Sequence, residues 1–278
     1  MVSLRLTTGR GRGLAVVFSG LMLCALFLAP LAHGETPTGL EIMTWVDERD
    51  DGDNGITDME MILIDKNGKQ RVREIRSFSK DFGEDTYSIM FFRTPADVRD
   101  TGFLSYDYDD SEKDDDQWLY LPALKKTKRI ASGDKSGSFM GSDFTYSDMS
   151  SRELEQYDYK LLQEAEVNGE AVWVVESIPK TKEEIDETGY TKSVVFVRQD
   201  NHVVIRAKNW VKKGKRLKYF DVKKLEQIDG IWVPTELTMT TKKGKATIHK
   251  SVIKMSNVRF NQDLSEDLFT TRRLEKGL

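Results

Sequence analysis

The sequence predicts a mainly β protein built on a single large antiparallel curved sheet. Short segments in which apolar and polar residues alternate follow one another, and turn residues separate them. About eleven such segments are present, and no proline- or serine-rich linker divides them. An open sheet of that size curls into a barrel or half-barrel, or splits into two sheets. We therefore expect one half-barrel of about eleven strands, with short helices covering one face.

The first 34 residues differ from the rest of the chain. Met1–Gly13 is basic, Leu14–Ala32 is almost entirely apolar, and the small residues Ala32 and Gly34 precede Glu35. This order predicts a cleavable signal peptide over 1–34 and a periplasmic domain over 35–278. An uncleaved inner-membrane anchor is the alternative, because the apolar run approaches the roughly 20 residues that span a bilayer.

Charge and cysteine content exclude several classes of function. The formal net charge of −4 becomes −7 once the signal, with three arginines and no acid, is removed. A negative domain is a poor general nucleic-acid binder, so we expect no nucleic-acid partner. The single cysteine, Cys24, leaves with the signal, so thiol chemistry and cysteine metal sites are excluded. We expect no cofactor.

The elements follow from local patterns in chain order. Gly39–Val46 has the spacing of an amphipathic helix, and Asp47–Asp58 is a loop rich in acids and glycine. Met59–Ile64 and Arg71–Phe78 flank an Asn-Gly dipeptide that is typical of a hairpin turn. Thr94–Asp100 predicts one or two helical turns, with Thr94 as the N-cap and proline next.

The remaining segments alternate as strands do and are separated by glycine or asparagine turns. They are Asp85–Arg93, Gly102–Tyr108, Gln117–Leu121, Ala171–Ile178, Tyr190–Arg198, His202–Trp210, Arg216–Leu225, Ile231–Thr240 and Ala246–Phe260.

Catalytic and metal patterns are weak. His202 and His249 are the histidines of the mature chain, neither lies beside a nucleophile motif, and both are expected at the surface. The acidic run Asp107–Asp116 predicts a solvated loop; a hard cation or a basic partner are alternatives. Lysines concentrated between 208 and 245 predict solvated outer strand faces, with anionic lipid headgroups as the alternative contact.

Several strands are apolar at consecutive positions, so both faces of the sheet must be covered over part of their area. A packed core explains this, and so does a curved sheet that holds an apolar ligand. The candidate lining residues are Met59, Met61, Phe91, Trp118, Tyr120, Phe196 and Trp210.

The segment Gln117–Met149 is the most specific in the chain. WLYLPALKKTKRI followed by FMGSDFTYSDM resembles the outer-membrane lipoprotein-sorting protein family, the LolA-like periplasmic proteins, which include an uncharacterised spirochaete-type domain. Weaker similarities at 92–104, 229–234 and 264–274 extend the resemblance over nearly the whole mature chain.

The resemblance implies a half-barrel lidded by short helices, whose concave apolar face shelters acyl chains. Gly137 and Gly141 would give the motif hinge freedom, and Ser142 or Asp143 would cap a short helix near Phe144. The alternative is a tightly packed structural loop that never touches cargo. The residues expected to line or close the cavity are Trp118, Tyr120, Phe139, Phe144 and Tyr146.

The function expected from this resemblance is a soluble carrier that moves lipids or lipoproteins from the inner to the outer membrane. An inner-membrane lipid exporter and an outer-membrane acceptor are the implied partners. The alternative is a periplasmic binding or assembly module without lipid cargo. An enzyme that uses Asp143 or Asp148 is not expected, since the sequence shows neither a paired base nor an oxyanion site.

Overall fold

Thirteen antiparallel strands form one sheet within residues 36–278, the part of the chain that the computed structural model describes. The signal peptide and its cleavage residues, Ala32 and Gly34, lie outside the described residues. The strands are β1 (Asn54–Asp65), β2 (Gln70–Phe82), β3 (Asp85–Thr94), β4 (Gly102–Asp107), β5 (Asp116–Leu121), β6 (Lys126–Ile130), β7 (Tyr157–Val167), β8 (Glu170–Pro179), β9 (Tyr190–Arg198), β10 (Val204–Val211), β11 (Arg216–Ile228), β12 (Ile231–Lys243) and β13 (Ala246–Phe260).

The first and the last strand of the chain lie side by side in the middle of the sheet. β1 pairs with β13, the strands β1 to β6 run outward to one edge, and β7 to β13 return from the other. The two edge strands are therefore β6 and β7. Residues 131–156, which we call the crossing segment, connect these edges through short 3₁₀ turns.

The inner face of the sheet is the face that the crossing segment covers. Met61 pairs with Ile253, and Ile253 pairs with Leu237, so the three side chains share this face. Phe139 and Phe144 of the crossing segment pack on them in one buried cluster. The crossing segment thus fills the inner face over the central strands.

A helix covers a second part of the inner face. α1 (Gly39–Asp47) begins at Thr38, whose hydroxyl accepts from the Glu41 backbone N–H while the Glu41 carboxylate accepts from the Thr38 N–H. Ile42 is fully buried against Val175 and Val195. The expected amphipathic helix is confirmed; it lies against β7 and β8, and Ile42 reaches across to β9 and β10.

The outer face is covered in part by the C-terminal segment. Leu274 of α3 (Thr271–Lys276) and Phe269 pack with Ile89, Phe91 and Leu104 in a separate buried cluster. Helix and strand approach closely here, because a Cβ at residue 102, a glycine, would lie 2.6 Å from Leu274 Cδ1.

Three local expectations were wrong. Residues 95–100 form no helix: the Arg99 N–H closes one turn on the Pro95 carbonyl at 3.0 Å, and Thr94 belongs to β3 instead of capping a helix. The edge strands β6 and β7 were not predicted, because one is KTKRI and the other is largely polar, so neither shows clear alternation. The helices α2 (Lys182–Thr188) and α3 were also missed, since neither exceeds two turns.

None of the helices between residues 36 and 278 is long and apolar enough to cross a membrane.

Candidate functional site

A cavity of about 240 Å³ lies on the inner face between α1 and the crossing segment. Met43 of α1 and Phe144 of the crossing segment form its upper walls. The sheet supplies a mostly apolar floor from strands β9 to β12: Val195, Val204, Ala207, Asn209, Phe220 and Met239. The cavity is therefore an apolar pocket that the crossing segment leaves unfilled.

Strand register explains why the floor is apolar. Ala207 pairs with Val195 on one side and Phe220 on the other, and Phe220 pairs with Met239. These four residues form a continuous row across the four strands, which we call the apolar row. Cross-strand neighbours on one face lie in contact, so the row presents an unbroken apolar surface.

A polar row runs beside the apolar row, two residues along each strand. Asn209 pairs with Ser193 and with Lys218, Lys218 pairs with Thr241, and Thr241 pairs with His249. Lys218 thus faces inward, although alternation was expected to place most lysines of this region on outer faces. Burial lowers the pKa of Lys218.

The crossing segment adds two charged side chains at the polar side of the pocket. The Asp148 carboxylate accepts 2.8 Å hydrogen bonds from the Thr145 N–H and the Tyr190 hydroxyl. Burial and the neighbouring Asp148 carboxylate raise the pKa of Tyr190 well above its usual value. Arg152 donates to the Ser193 hydroxyl at 3.3 Å, and its guanidinium lies 5.7 Å from the ring centroid of Tyr190.

Asp143 fastens the crossing segment to the sheet. Its carboxylate, only 2% exposed, lies 2.6 Å from His249 Nδ1 and accepts a 2.7 Å hydrogen bond from the Ser251 hydroxyl. The Thr241 hydroxyl also donates to it. The Asp143 backbone N–H donates to Ser251 Oγ at 2.9 Å. One carboxylate therefore joins the segment to both β12 and β13.

This arrangement corrects two sequence interpretations. Asp143 caps no helix, because its carboxylate points to the sheet, and no helix begins at Phe144. Ser142 Oγ accepts from the Phe144 N–H within a turn instead. His249 is half-buried rather than free at the surface, and His202 stacks on Trp45 at 5.3 Å between ring centroids.

The Asp143 cluster lacks the geometry of a nucleophilic site. Ser251 is fully buried, and its hydroxyl donates to the carboxylate instead of to the imidazole of His249. An activated serine needs a hydrogen bond to its general base. Asp148 is likewise bound by Tyr190 and Thr145. The cluster is built to hold the crossing segment.

The two glycines proposed as hinges have different surroundings. The Gly137 N–H donates to the Asp134 carbonyl at 2.9 Å, and its own carbonyl accepts from the Tyr146 N–H at 3.1 Å. Gly141 has a φ of +77°, which favours glycine, and a Cβ there would meet open space. Hinge motion at either glycine stays a prediction.

The ten residues predicted to contact lipid divide between the two faces. Five lie beneath or within the crossing segment on the inner face, and of these Phe144 lines the pocket: Met59, Met61, Phe139, Phe144 and Tyr146. Three lie on the outer face under the C-terminal segment: Phe91, Trp118 and Tyr120. Phe196 and Trp210 also face outward, because each directly follows an inward-facing residue of its strand, Val195 or Asn209.

The sequence interpretation missed most of the pocket walls. Ala207, Phe220 and Met239 were not singled out, although each sits at an alternating position of a predicted strand. Alternation separates the two faces of a strand but does not show which of them is the inner one. The aromatic residues predicted to line the cavity on β9 and β10, Phe196 and Trp210, lie on the outer face. Arg152 and Asn209 carried no motif signal at all.

The acidic run contributes to a separate cluster. Carboxylate oxygens of Asp107, Asp115 and Glu153 lie within 4.8 Å of one another, so these three residues could hold a cation. Burial and the neighbouring carboxylate of Asp107 raise the pKa of Asp115 to about 6. Burial and the carboxylate of Asp115 raise the pKa of Glu153 to about 7.

Known proteins are similar to this chain in sequence and in fold. A family model described as an uncharacterised protein matches residues 84–276. A structure of a DUF1329 family protein from Desulfovibrio piger is 33% identical, with a TM-score of 0.77, and the match covers 85% of this chain and 97% of that one. No curated protein is similar enough to match.

Two further structures extend the comparison. A putative outer membrane lipoprotein-sorting protein domain from Vibrio parahaemolyticus is 36% identical, with a TM-score of 0.77, over 85% of this chain and 98% of that one. A LolA superfamily protein from Nitrosomonas europaea, 20% identical with a TM-score of 0.65 over 86% and 100%, has the same fold. The predicted LolA-like half-barrel fold is thereby confirmed, and the chain belongs to the DUF1329 family, together with the lipoprotein-sorting protein domain to which it is 36% identical.

Proposed function

We propose that this protein is a periplasmic carrier that shelters acyl chains of lipids or lipoproteins in the apolar pocket during transfer from the inner to the outer membrane. The observation that carries the proposal is the cavity between the apolar row, α1 and the crossing segment. The name of the Vibrio parahaemolyticus relative, which refers to lipoprotein sorting, supports the same class of cargo.

The physical task of such a carrier is to replace water around a chain. Each CH₂ group removed from water contributes about 0.8 kcal/mol, so a chain of even modest length needs a continuous apolar wall. The apolar row supplies that wall, and Met43 and Phe144 close it from above. Release then requires α1 or the crossing segment to move.

The route of this carrier begins with export. Cleavage after Gly34 would release the domain into the periplasm. An inner-membrane lipid exporter would be the donor and an outer-membrane protein the acceptor. We propose no catalytic activity, because Ser251, His249 and Asp143 form a closed structural cluster.

Filling the pocket tests the carrier function directly. Ala207→Phe places a ring in the cavity, whereas Lys208→Phe adds the same ring on the outer face of the same strand. We expect lipid or acylated peptide to copurify with the periplasmic wild type and with Lys208→Phe, and to fall at least tenfold in Ala207→Phe. Native mass spectrometry with lipid extraction measures this.

Circular dichroism and the urea midpoint show whether both variants fold. If folded Ala207→Phe retained as much lipid as the wild type, the pocket would not be the cargo site. If the wild type carried no lipid and took up no fluorescent acyl probe, the carrier function would be wrong.

The second candidate is a binding or assembly module without lipid cargo, which a different observation favours. Over β1 to β4 the inner face is filled by side chains such as Phe139 and Phe103, so much of the half-barrel has no room for cargo. An acidic depression of about 370 Å³, which includes Asp47, Asp51 and Asp81, would suit a basic partner surface. Absence of lipid in the experiment above would favour this candidate.

A further inference from the structure

Three hairpin turns at one end of the sheet form a basic surface. The strand order β2-β1-β13-β12-β11-β10 makes the β1–β2, β12–β13 and β10–β11 turns neighbours. Antiparallel register brings them to the same end, since Asp65 pairs with His249, and Lys243 pairs with both Ala246 and Arg216. The exposed lysines of these turns, which we call the basic rim, are Lys66, Lys69, Lys213, Lys215, Lys243 and Lys245.

The basic rim has almost no compensating acid. None of its six lysines has a carboxylate oxygen within 4 Å of Nζ among residues 36–278. Asp65, the only acid in the three turns, accepts from the backbone N–H groups of Asn67 and Lys69 and so shapes its own turn. Lys212 pairs with Asp186 of α2, which marks the border of the unpaired positive charge.

The opposite end of the sheet is acidic. Asp107 pairs with Thr86, and Thr86 pairs with Asp81 close to the end of β2, far from the β1–β2 turn. Asp107–Asp116 begins there and holds seven acids and one lysine. Positive charge is thus concentrated at one end of a domain whose net charge is negative. Such a separation of charge along the strands turns the basic rim toward an anionic surface.

A lipid surface fits the basic rim better than an acidic protein does. Between the lysines stand small or polar residues such as Asn67, Gly214 and Gly244, and the three turns expose no large apolar side chain. Protein interfaces depend on a buried core of apolar, aromatic or arginine side chains. A bilayer instead offers a broad negative surface that separate, flexible lysine side chains can reach one by one.

We propose that the basic rim docks the protein on the surface of an anionic phospholipid bilayer. The contact is electrostatic: lysine ammonium groups lie among lipid phosphates, and no side chain enters the hydrocarbon. Each basic residue close to such a surface strengthens binding roughly fivefold, so several together give reversible binding. The inference goes beyond the carrier function, since it needs neither the pocket nor a cargo.

Vesicle cosedimentation measures this binding. The periplasmic wild type is mixed with phosphatidylcholine vesicles, or with vesicles in which phosphatidylglycerol replaces a third of the lipid. We expect at least tenfold tighter binding to the anionic vesicles. Most of that preference should disappear when NaCl is raised from about 0.05 M to about 0.5 M, because salt screens exposed charges.

A rim variant tests the assigned residues. It combines Lys213→Gln, Lys215→Gln and Lys243→Gln, which remove three charges from two neighbouring turns. We expect its affinity for the anionic vesicles to fall at least tenfold, and its weak binding to neutral vesicles to stay as in the wild type.

The control variant removes the same number of charges elsewhere. It combines Lys223→Gln, Lys224→Gln and Lys254→Gln, which are exposed positions of β11 and β13 farther from the turns. Its affinity for anionic vesicles should stay within threefold of the wild type, since the change in net charge is matched and only the place differs.

The outcomes are decisive for the rim and independent of the pocket. Equal binding to neutral and anionic vesicles, or wild-type binding by the folded rim variant, would overturn the inference. Retention on polyglutamate beads without binding to anionic vesicles would make the rim a protein-binding surface instead. If circular dichroism shows that the rim variant does not fold, Lys66→Gln with Lys69→Gln replaces it and should weaken vesicle binding several-fold. Copurified lipid, which tests the carrier function, is unaffected by any of these results.

Discussion

At the scale of single residues, Asp143 has the clearest structural role. It is nearly fully buried, and its carboxylate joins the crossing segment to β12 and β13 through His249, Ser251 and Thr241. A buried carboxylate that is fully hydrogen-bonded stabilises a loop in one position, and losing it leaves several donors without acceptors.

We therefore expect Asp143→Asn to lower the free energy of unfolding by about 2–4 kcal/mol, since an amide cannot accept from all of these donors at once. Asp263→Asn removes an exposed carboxylate and should change the stability by less than about 0.5 kcal/mol. Urea unfolding measures both. Equal stability of the two variants would contradict the anchoring role.

The acidic cluster gives a pH dependence with a definite sign. The pKa values of Asp115 and Glu153 in the folded protein are about 6 and about 7, above their ordinary values of 3.8 and 4.5. At pH values between the ordinary and the folded-state pKa of each group, the folded state binds more protons than the unfolded state. The contribution of this cluster to stability is therefore greatest below about pH 4 and is lost as the pH rises toward 7.

Glu153→Gln should remove the part of that loss that Glu153 contributes, while Asp115, whose pKa is raised by burial and by Asp107, keeps its part. We expect the wild type to show a lower urea midpoint at pH 7.5 than at pH 5, and the variant to show a smaller difference. Glu164→Gln, at an exposed position of β7, serves as the control and should behave as the wild type does. A variant with the same pH profile as the wild type would show that Glu153 does not titrate in this range.

At the scale of elements, α1 is the part of the described chain best suited to act as a lid. Its backbone lies against β7, where a Cβ on Gly39 would come within 2.7 Å of Lys160 N, while Ile42 and Trp45 pack toward β8 to β10 and Met43 closes the pocket. Its nine residues are too few to form a stable helix alone, so its structure depends on that packing. Opening of α1 would expose the apolar row without unfolding the sheet.

Weakening this contact should speed ligand exchange. Ile42→Ala removes a fully buried side chain, and Leu40→Ala removes one that is 52% exposed on the same helix. We expect Ile42→Ala to increase amide exchange in α1 and to release a fluorescent acyl probe several-fold faster. Leu40→Ala should match the wild type in both hydrogen exchange and stopped-flow release; equal release from all three proteins would exclude α1 as the lid.

The elements also show where sequence patterns reach their limit. The eleven predicted strands are all present, because alternating residues clearly mark at least one face of each of them. β6 and β7 were missed since edge strands carry polar side chains that discourage further pairing. The turns after Thr94 were mistaken for helix because a threonine followed by proline suits both structures.

At the scale of the whole molecule, the sequence by itself determined the class of fold and the family. Alternation and turn residues specify antiparallel strands, since neighbouring side chains point to opposite faces. The segment Gln117–Met149 predicted the resemblance to outer-membrane lipoprotein-sorting proteins, and relatives that are 33% and 36% identical over most of the chain confirm the family. These are local properties of the chain, and they can be read without knowing which strands meet.

Only the tertiary structure decided which face each strand turns inward and what fills it. Phe91 and Phe92 are adjacent and both buried, yet one packs under the C-terminal segment and the other under the crossing segment. The pairing of β1 with β13 and the path of residues 131–156 assign those faces. The pocket, with Arg152 beside Asn209, arises from contacts between residues distant in sequence, and no local pattern encodes such contacts.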